Sequence, residues 1–262
     1  MKTTLLAAFG LILGLGLGAA DAQRRTLTVG AYPANPPWEF KNEQSEFEGF
    51  EVDMTTGIAR RLDMDLDIAD YGFKAMFAAT ASGRIDVAIS TITITNERLQ
   101  SQSFTQGYYD ADLSLVTRQG RLDSLAEMAG RPIGAIAAST GERWINANTA
   151  EYGFGELRTY PTQQALLLDV LAGRIGGGHG GGTGLGFAAV GRAGLHIAEV
   201  IPTGDRYGMM LTQGSPLLEP INDAISAMKE DGTMAAIYER WLGQPPREGS
   251  STVTVMAIPT SE

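Results

Sequence analysis

Short apolar runs at alternate positions recur along this chain, separated by stretches with helical spacing. Leu27-Thr28-Val29-Gly30 predicts a first strand, halted by Pro33, Pro36 and Pro37. Residues 51–62 place Val52, Ile58, Ala59 and Leu62 at helical spacing, and Leu66 and Ile68 predict the next strand. Phe73 to Ser82 predicts a helix ended by Gly83, after which Ile85, Val87 and Ile89 alternate as in a covered strand. Strand and helix thus alternate, the pattern of an α/β chain with a covered parallel sheet. Beyond it the spacing predicts a helix over 121–130, a strand from Pro132 to Ala137 and a helix over 162–172 ended by Gly173. A strand from Tyr207 to Leu211 and a helical region from Pro220 to Leu242, broken at Asp231-Gly232, follow.

One unit repeats. Ala81-Ser82-Gly83-Arg84-Ile85 and Leu171-Ala172-Gly173-Arg174-Ile175 each close a helix and open a strand. This suggests two lobes of similar plan with a ligand site between them. After the second copy the apolar pattern breaks into GGGHGGGTG over residues 176–184. Glycine weakens a strand and packs nothing, so the expectation is a flexible pocket wall, with His179 exposed. The formal G-x-G-x-x-G inside it follows a helix instead of opening one, so a dinucleotide site is not expected. Residues 247–262 are rich in Ser and Thr and predict a loose tail, with a strand at Val253 to Met256 as an option.

The densest chemistry lies between Ser82 and Arg98. Thr91, Thr93 and Thr95 alternate with Ile92 and Ile94, so hydroxyls line one side. Thr95 suits an N-cap, and Arg98 stands where a capping box would place Glu. A cation in the first turn of a helix opposes the macrodipole. Beside a strand end, a row of hydroxyls and free helix N–H groups, its fork describes a carboxylate site. The plain alternative is a surface Arg paired with Glu97 or water. Ser139-Thr140-Gly141-Glu142 forms a second hydroxyl-rich turn into a helix, where capping alone explains the pattern. Trp38 and Phe40, past a proline-stiffened loop, suit a pocket wall and a core cap equally.

Residues 1–22 have the form of an export signal: Lys2, an apolar stretch from Leu5 to Gly18, and the small-x-small Ala20-Asp21-Ala22. The expected product is a soluble exported protein of residues 23–262, with no cysteine for disulfides or a lipid anchor. A net charge of −10 argues against nucleic acid and anionic membrane as partners. Two histidines without cysteine leave little for a transition metal.

Several motifs together resemble the periplasmic solute-binding proteins of the polar amino-acid uptake family, the receptors of ABC importers. They are the Gly30-to-Trp38 loop, Glu48-Gly49-Phe50-Glu51-Val52-Asp53, Gly83-Arg84-Ile85-Asp86 and Thr93-Ile94-Thr95-Asn96-Glu97-Arg98. Phe104 to Tyr109, Thr140-Gly141-Glu142, and Asp231-Gly232-Thr233 to Trp241-Leu242 extend the match from about Leu27 to Gly243. The resemblance implies an α/β, two-lobed periplasmic-binding-protein fold of type II: two mixed sheets flanked by helices, and two crossing hinge strands near Asp110–Val116 and Gly204–Gly208. Lobe one would comprise residues 23–112 and 208–246, lobe two residues 113–207, and the tail 247–262.

Carried over, Arg98 would grip a ligand's α-carboxylate, while Ser90, Thr91 and Thr93 would bind ammonium and carboxylate. Ser139 and Thr140 would close over the carboxylate, and Phe73 would wall the side chain. Tyr32, Asn35 and Trp38 of the first loop complete the expected ligand site, although an acid is common at Tyr32 and an aromatic at Asn35. Gly181 aligns with the acid that pairs with the ammonium. An unpaired buried ammonium is expensive. That leaves a ligand without an ordinary α-ammonium, another acid in service, or weak binding.

The implied function is a monomeric receptor that delivers a small carboxylate-bearing solute to an inner-membrane ABC permease, with no cofactor, metal or catalytic group. One alternative is a periplasmic enzyme on the same scaffold, resembling cyclohexadienyl dehydratases, for which the glycine run offers no general acid. Another is a ligand-sensing subunit without transport.

Overall fold

The computed structural model describes residues 24–181, 185–186, 189 and 192–261. The expected export signal and residues 182–184 of the glycine run lie outside them. Strand β1 (Thr26–Ala31) buries Leu27, Val29 and Ala31. It pairs in parallel with β5 (Asp65–Asp70) and β6 (Val87–Ile89), Val29 lying opposite both Ile68 and Val87. Parallel neighbours need a crossover, and helices α1 (Phe50–Arg61) and α2 (Phe73–Ala81) supply the two that occur here. β7 (Gln102–Phe104) and β13 (Met210–Thr212) add antiparallel pairs, so the first sheet runs β5-β1-β6-β13-β7. A small antiparallel sheet of β2 (Ala34–Asn35), β3 (Glu39–Lys41) and β4 (Phe47–Glu48) shapes the proline loop beside it.

The second sheet runs β10-β9-β11-β8-β12. Its members are β8 (Tyr109–Arg118), β9 (Ile133–Ile136), β10 (Leu157–Tyr160), β11 (Gly177–Gly181) and β12 (Leu195–Tyr207). Helices α4 (Thr140–Tyr152) and α5 (Gln163–Leu171) pack on it. The chain leaves the first lobe along β8 and returns along β12, the two pairing antiparallel from Tyr109 opposite Tyr207 to Arg118 opposite Leu195. Helices α6 (Leu218–Glu230) and α7 (Thr233–Leu242) then close the first lobe, with Ile221, Ile225, Met228 and Met234 in its core. Two α/β lobes with separate apolar cores and two crossing strands are the fold.

Four expectations need correction. The 121–130 segment is a loop with one 3-10 turn at Ala126–Met128. The glycine run is no flexible wall: its described part is β11, a central strand between β9 and β8. Here glycine serves close packing, because a Cβ on Gly178 would lie 2.2 Å from Leu166 Cδ2 on α5. His179 is fully buried, stacked on Trp144 with ring centroids 4.6 Å apart. The tail is not loose and forms no strand at Val253–Met256. Thr252 Oγ1 donates to Tyr108 O at 3.0 Å, Met256 N to Gln106 Oε1 at 2.9 Å, and buried Lys229 Nζ to Thr254 O at 2.9 Å. Composition alone could not reveal those partners, which are distant in sequence.

Candidate functional site

The cleft is organised at the carboxyl end of β6. Thr95 caps the short helix α3 (Asn96–Leu99), its Oγ1 accepting from Arg98 N at 3.2 Å. That turn sends the Arg98 side chain back toward the strand end. Nη1 donates to Thr93 O at 2.7 Å and Nη2 to Ala138 O, in the other lobe, at 3.1 Å. The guanidinium lies 4.9 Å over the Phe77 ring, and the residue is 6% exposed. Burial, and next the Arg143 guanidinium, push its pKa down to about 9. It therefore stays charged at neutral pH. The strand end itself is tied to the hinge: Thr93 bridges to Tyr207, and Ile94 N donates to Arg206 O at 2.9 Å.

Beneath the lobe-one wall lie two buried acids that sequence reading did not assign to the site. Glu39 Oε1 accepts from Ser90 Oγ at 2.5 Å and from Asn35 Nδ2 at 3.0 Å. Glu51 Oε1 accepts from Thr91 N at 2.9 Å and from the Tyr108 hydroxyl. Burial, then the charge of Glu51 and a hydrogen bond with it, raise the Glu39 pKa well above the ordinary carboxylate range. Glu51 lies inside the motif Glu48–Asp53 and Glu39 directly after Trp38. Only their burial shows that they support the floor of a site.

Across the cleft, Ser139 caps α4 by accepting from Glu142 N at 3.2 Å, while Glu142 Oε2 accepts from Ala138 N at 2.5 Å. The capping box is thus displaced by one residue at its carboxylate end. Thr162 caps α5 in the same way, accepting from Ala165 N at 3.1 Å. The lobes touch through Gln163 Nε2 donating to Asn35 Oδ1 at 3.1 Å, through Thr93 and Thr140 hydroxyls 3.4 Å apart, and through the Arg143–Glu97 ion pair. His179 is held neutral, its pKa pushed down to about 4 by burial against an opposing effect of the Gly141 backbone.

Tyr32, Asn35, Phe73, Ser90, Thr91, Thr93, Arg98, Ser139, Thr140 and Gly181 line one interlobe cavity of about 70 Å³. Trp38 does not. It is wholly buried in the lobe-one core, edge-on to Phe50 and Tyr109 at 5.3 and 4.6 Å. The turn Trp38 N to Asn35 O, 2.8 Å, tucks it inward, so the core-cap reading of Trp38 holds. Lining residues that the sequence did not assign to the site include Pro161, Thr162, Gln163, His179 and Tyr207. The hydroxyl cap at Thr162 was the available signal for the first three.

Residues 27–244 match the family described as bacterial extracellular solute-binding proteins, family 3. The L-cystine-binding protein of Escherichia coli K12 is 27% identical over 236 residues, 84% of each chain. The L-arginine-binding protein of Pseudomonas aeruginosa is 28% identical, covering 92% of this chain and 96% of that one. Among solved structures, an ancestral arginine-binding protein bound to arginine is similar at a TM-score of 0.78 and 31% identity, covering 84% of this chain and 99% of the other. With two lobes, two crossing strands and a cleft lined from both sides, the chain belongs to the bacterial extracellular solute-binding proteins of family 3.

Proposed function

We propose that this chain is an exported receptor that closes its lobes on a small carboxylate-bearing solute and delivers it to an inner-membrane ABC permease. One observation carries the reading. Arg98 is a charged guanidinium, 6% exposed, where the lobes meet, and it makes no ion pair among the described residues; its guanidinium donates to two backbone carbonyls, of Thr93 and Ala138. A buried charge without a counter-ion is costly, and a ligand carboxylate on the rest of the fork removes that cost. Thr140 and Gly141, at the start of α4, add helix N–H groups from the opposite lobe. A carboxylate reaches both sets of donors only when the lobes are together, so binding favours closure. The binding-protein relatives support capture of a solute over catalysis.

Isothermal calorimetry against a panel of amino acids, opines and related acids tests this. Arg98→Ala, checked for folding by thermal unfolding, is expected to weaken binding by about 100-fold or more. Unchanged affinity in that variant removes the assigned role.

A further inference from the structure

The cleft offers charge of one sign. Among the described residues lining it, Arg98 is the charged cation, and Asp and Glu are absent. Residues 182–184, 187–188 and 190–191 contain no acid in the sequence either. The carboxyl groups behind the floor are fully buried, and the oxygen that each turns to the wall is already bonded. Glu39 spends Oε1 on Ser90 and Asn35, and Glu51 spends Oε1 on Thr91 N and Tyr108. Glu97, beside Arg98 in sequence, is drawn into the ion pair with Arg143. Asp205, half-buried on β12, acts on both Arg98 and Arg143 but lines a different pocket, so among the described cleft-lining residues an incoming ammonium would meet a guanidinium and no carboxylate.

The opposite wall carries no acid at Gly181 and leaves little room for one. A Cβ on Gly181 would lie 2.6 Å from the Tyr207 hydroxyl oxygen, so the phenol occupies the volume where a longer side chain would begin. What the cavity does present is hydroxyls, from Thr91, Thr93, Ser139 and Thr140: Thr93 and Thr140 share one bond, Ser139 Oγ already accepts from Glu142 N, and the remaining protons and lone pairs are left for a ligand. Ser90 differs, since its proton is committed to Glu39 and its oxygen is left as an acceptor.

From this arrangement we infer that the solute is a monocarboxylate whose α-carbon bears a neutral oxygen, hydroxyl or oxo, in place of an ammonium; the inference rests on the receptor reading above. Arg98 takes the carboxylate, and the hydroxyl wall takes the α-oxygen. A ligand hydroxyl donates to Ser90 Oγ, while an oxo group accepts from the threonines.

Matched triples test it by calorimetry at neutral pH: alanine with lactate and pyruvate, leucine and arginine each with their 2-hydroxy and 2-oxo counterparts, and phenylalanine with phenyllactate and phenylpyruvate. In whichever triple binds, the hydroxy or oxo acid is expected to bind about tenfold or more tightly than the amino acid, with Arg98→Ala weakening all members. Gly181→Asp combined with Tyr207→Phe, which makes room for the carboxylate, is expected to move the preference about tenfold toward the amino acid. Amino acids binding as tightly as their neutral counterparts, with dependence on Arg98 intact, overturn the inference and leave the receptor reading standing. No member of any triple binding removes both.

Discussion

On the lobe-one side of the cleft Thr91 has φ 48°, and on the lobe-two side Ala138 has φ 64°. Neither residue type favours the left-handed region, a β-branched Thr least of all. In both a carboxylate accepts the N–H of the strained residue, Glu51 at 2.9 Å and Glu142 at 2.5 Å. The supports differ in setting. Glu51 is fully buried and belongs to a network joining Thr91, Tyr108, Glu39, Ser90 and Asn35 across three elements of lobe one. Glu142 is half-exposed and four residues from Ala138, on the helix that Ser139 caps. One wall is therefore held by the core of its lobe, the other by a local turn. A buried network loses more when one member is removed, because its partners are left without water to replace it.

The largest expected effect follows directly. Glu51→Ala orphans the Thr91 N–H and the Tyr108 hydroxyl and should cost about 4 kcal/mol in urea unfolding, against about 1 kcal/mol for Glu142→Ala. Equal losses would erase the distinction between the walls. Next in size is pH. His179 in lobe two has a folded pKa near 4, below its ordinary 6.5. The unfolded chain therefore takes up a proton first, and stability is complete above pH 6.5 and lost as pH falls toward 4, by about 3 kcal/mol. Glu39 in lobe one has the opposite sense: its folded pKa is raised, so its contribution is complete below the ordinary carboxylate value and is lost as pH rises through the folded value. His179→Phe, which keeps a ring against Trp144, should flatten the acid side of the stability profile, and Glu39→Gln the alkaline side.

Packing gives a smaller effect. Gly178→Ala presses a methyl against Leu166 and should cost about 2 kcal/mol, partly recovered when Leu166→Ala is added. The smallest effect has the opposite sign. Ala138→Gly relaxes the left-handed residue and should stabilise lobe two by roughly 0.5–1 kcal/mol. A loss of stability there would mean that the turn carries no strain.

The cleft was legible in the sequence where local chemistry announced it. Thr95 before Arg98, and Ser139 before Glu142, are caps, and a cap is readable from neighbours three residues apart. The glycine strand was not legible, since it is made a strand by Leu115, Thr117 and Leu166, whose atoms fill the space beside it. The same holds for the tail, ordered by Tyr108, Gln106 and Lys229.

By itself the sequence determined the alternation of strand and helix, the repeated unit that signals two lobes, and the cation set among hydroxyls. These are patterns of residues close in the chain, where periodicity and capping act. Tertiary structure alone decided that Trp38 turns into the core, that His179 is buried, and that Glu39 and Glu51 stand together beneath the cleft. Burial and the pairing of charges depend on which distant segments meet, and no local pattern encodes that.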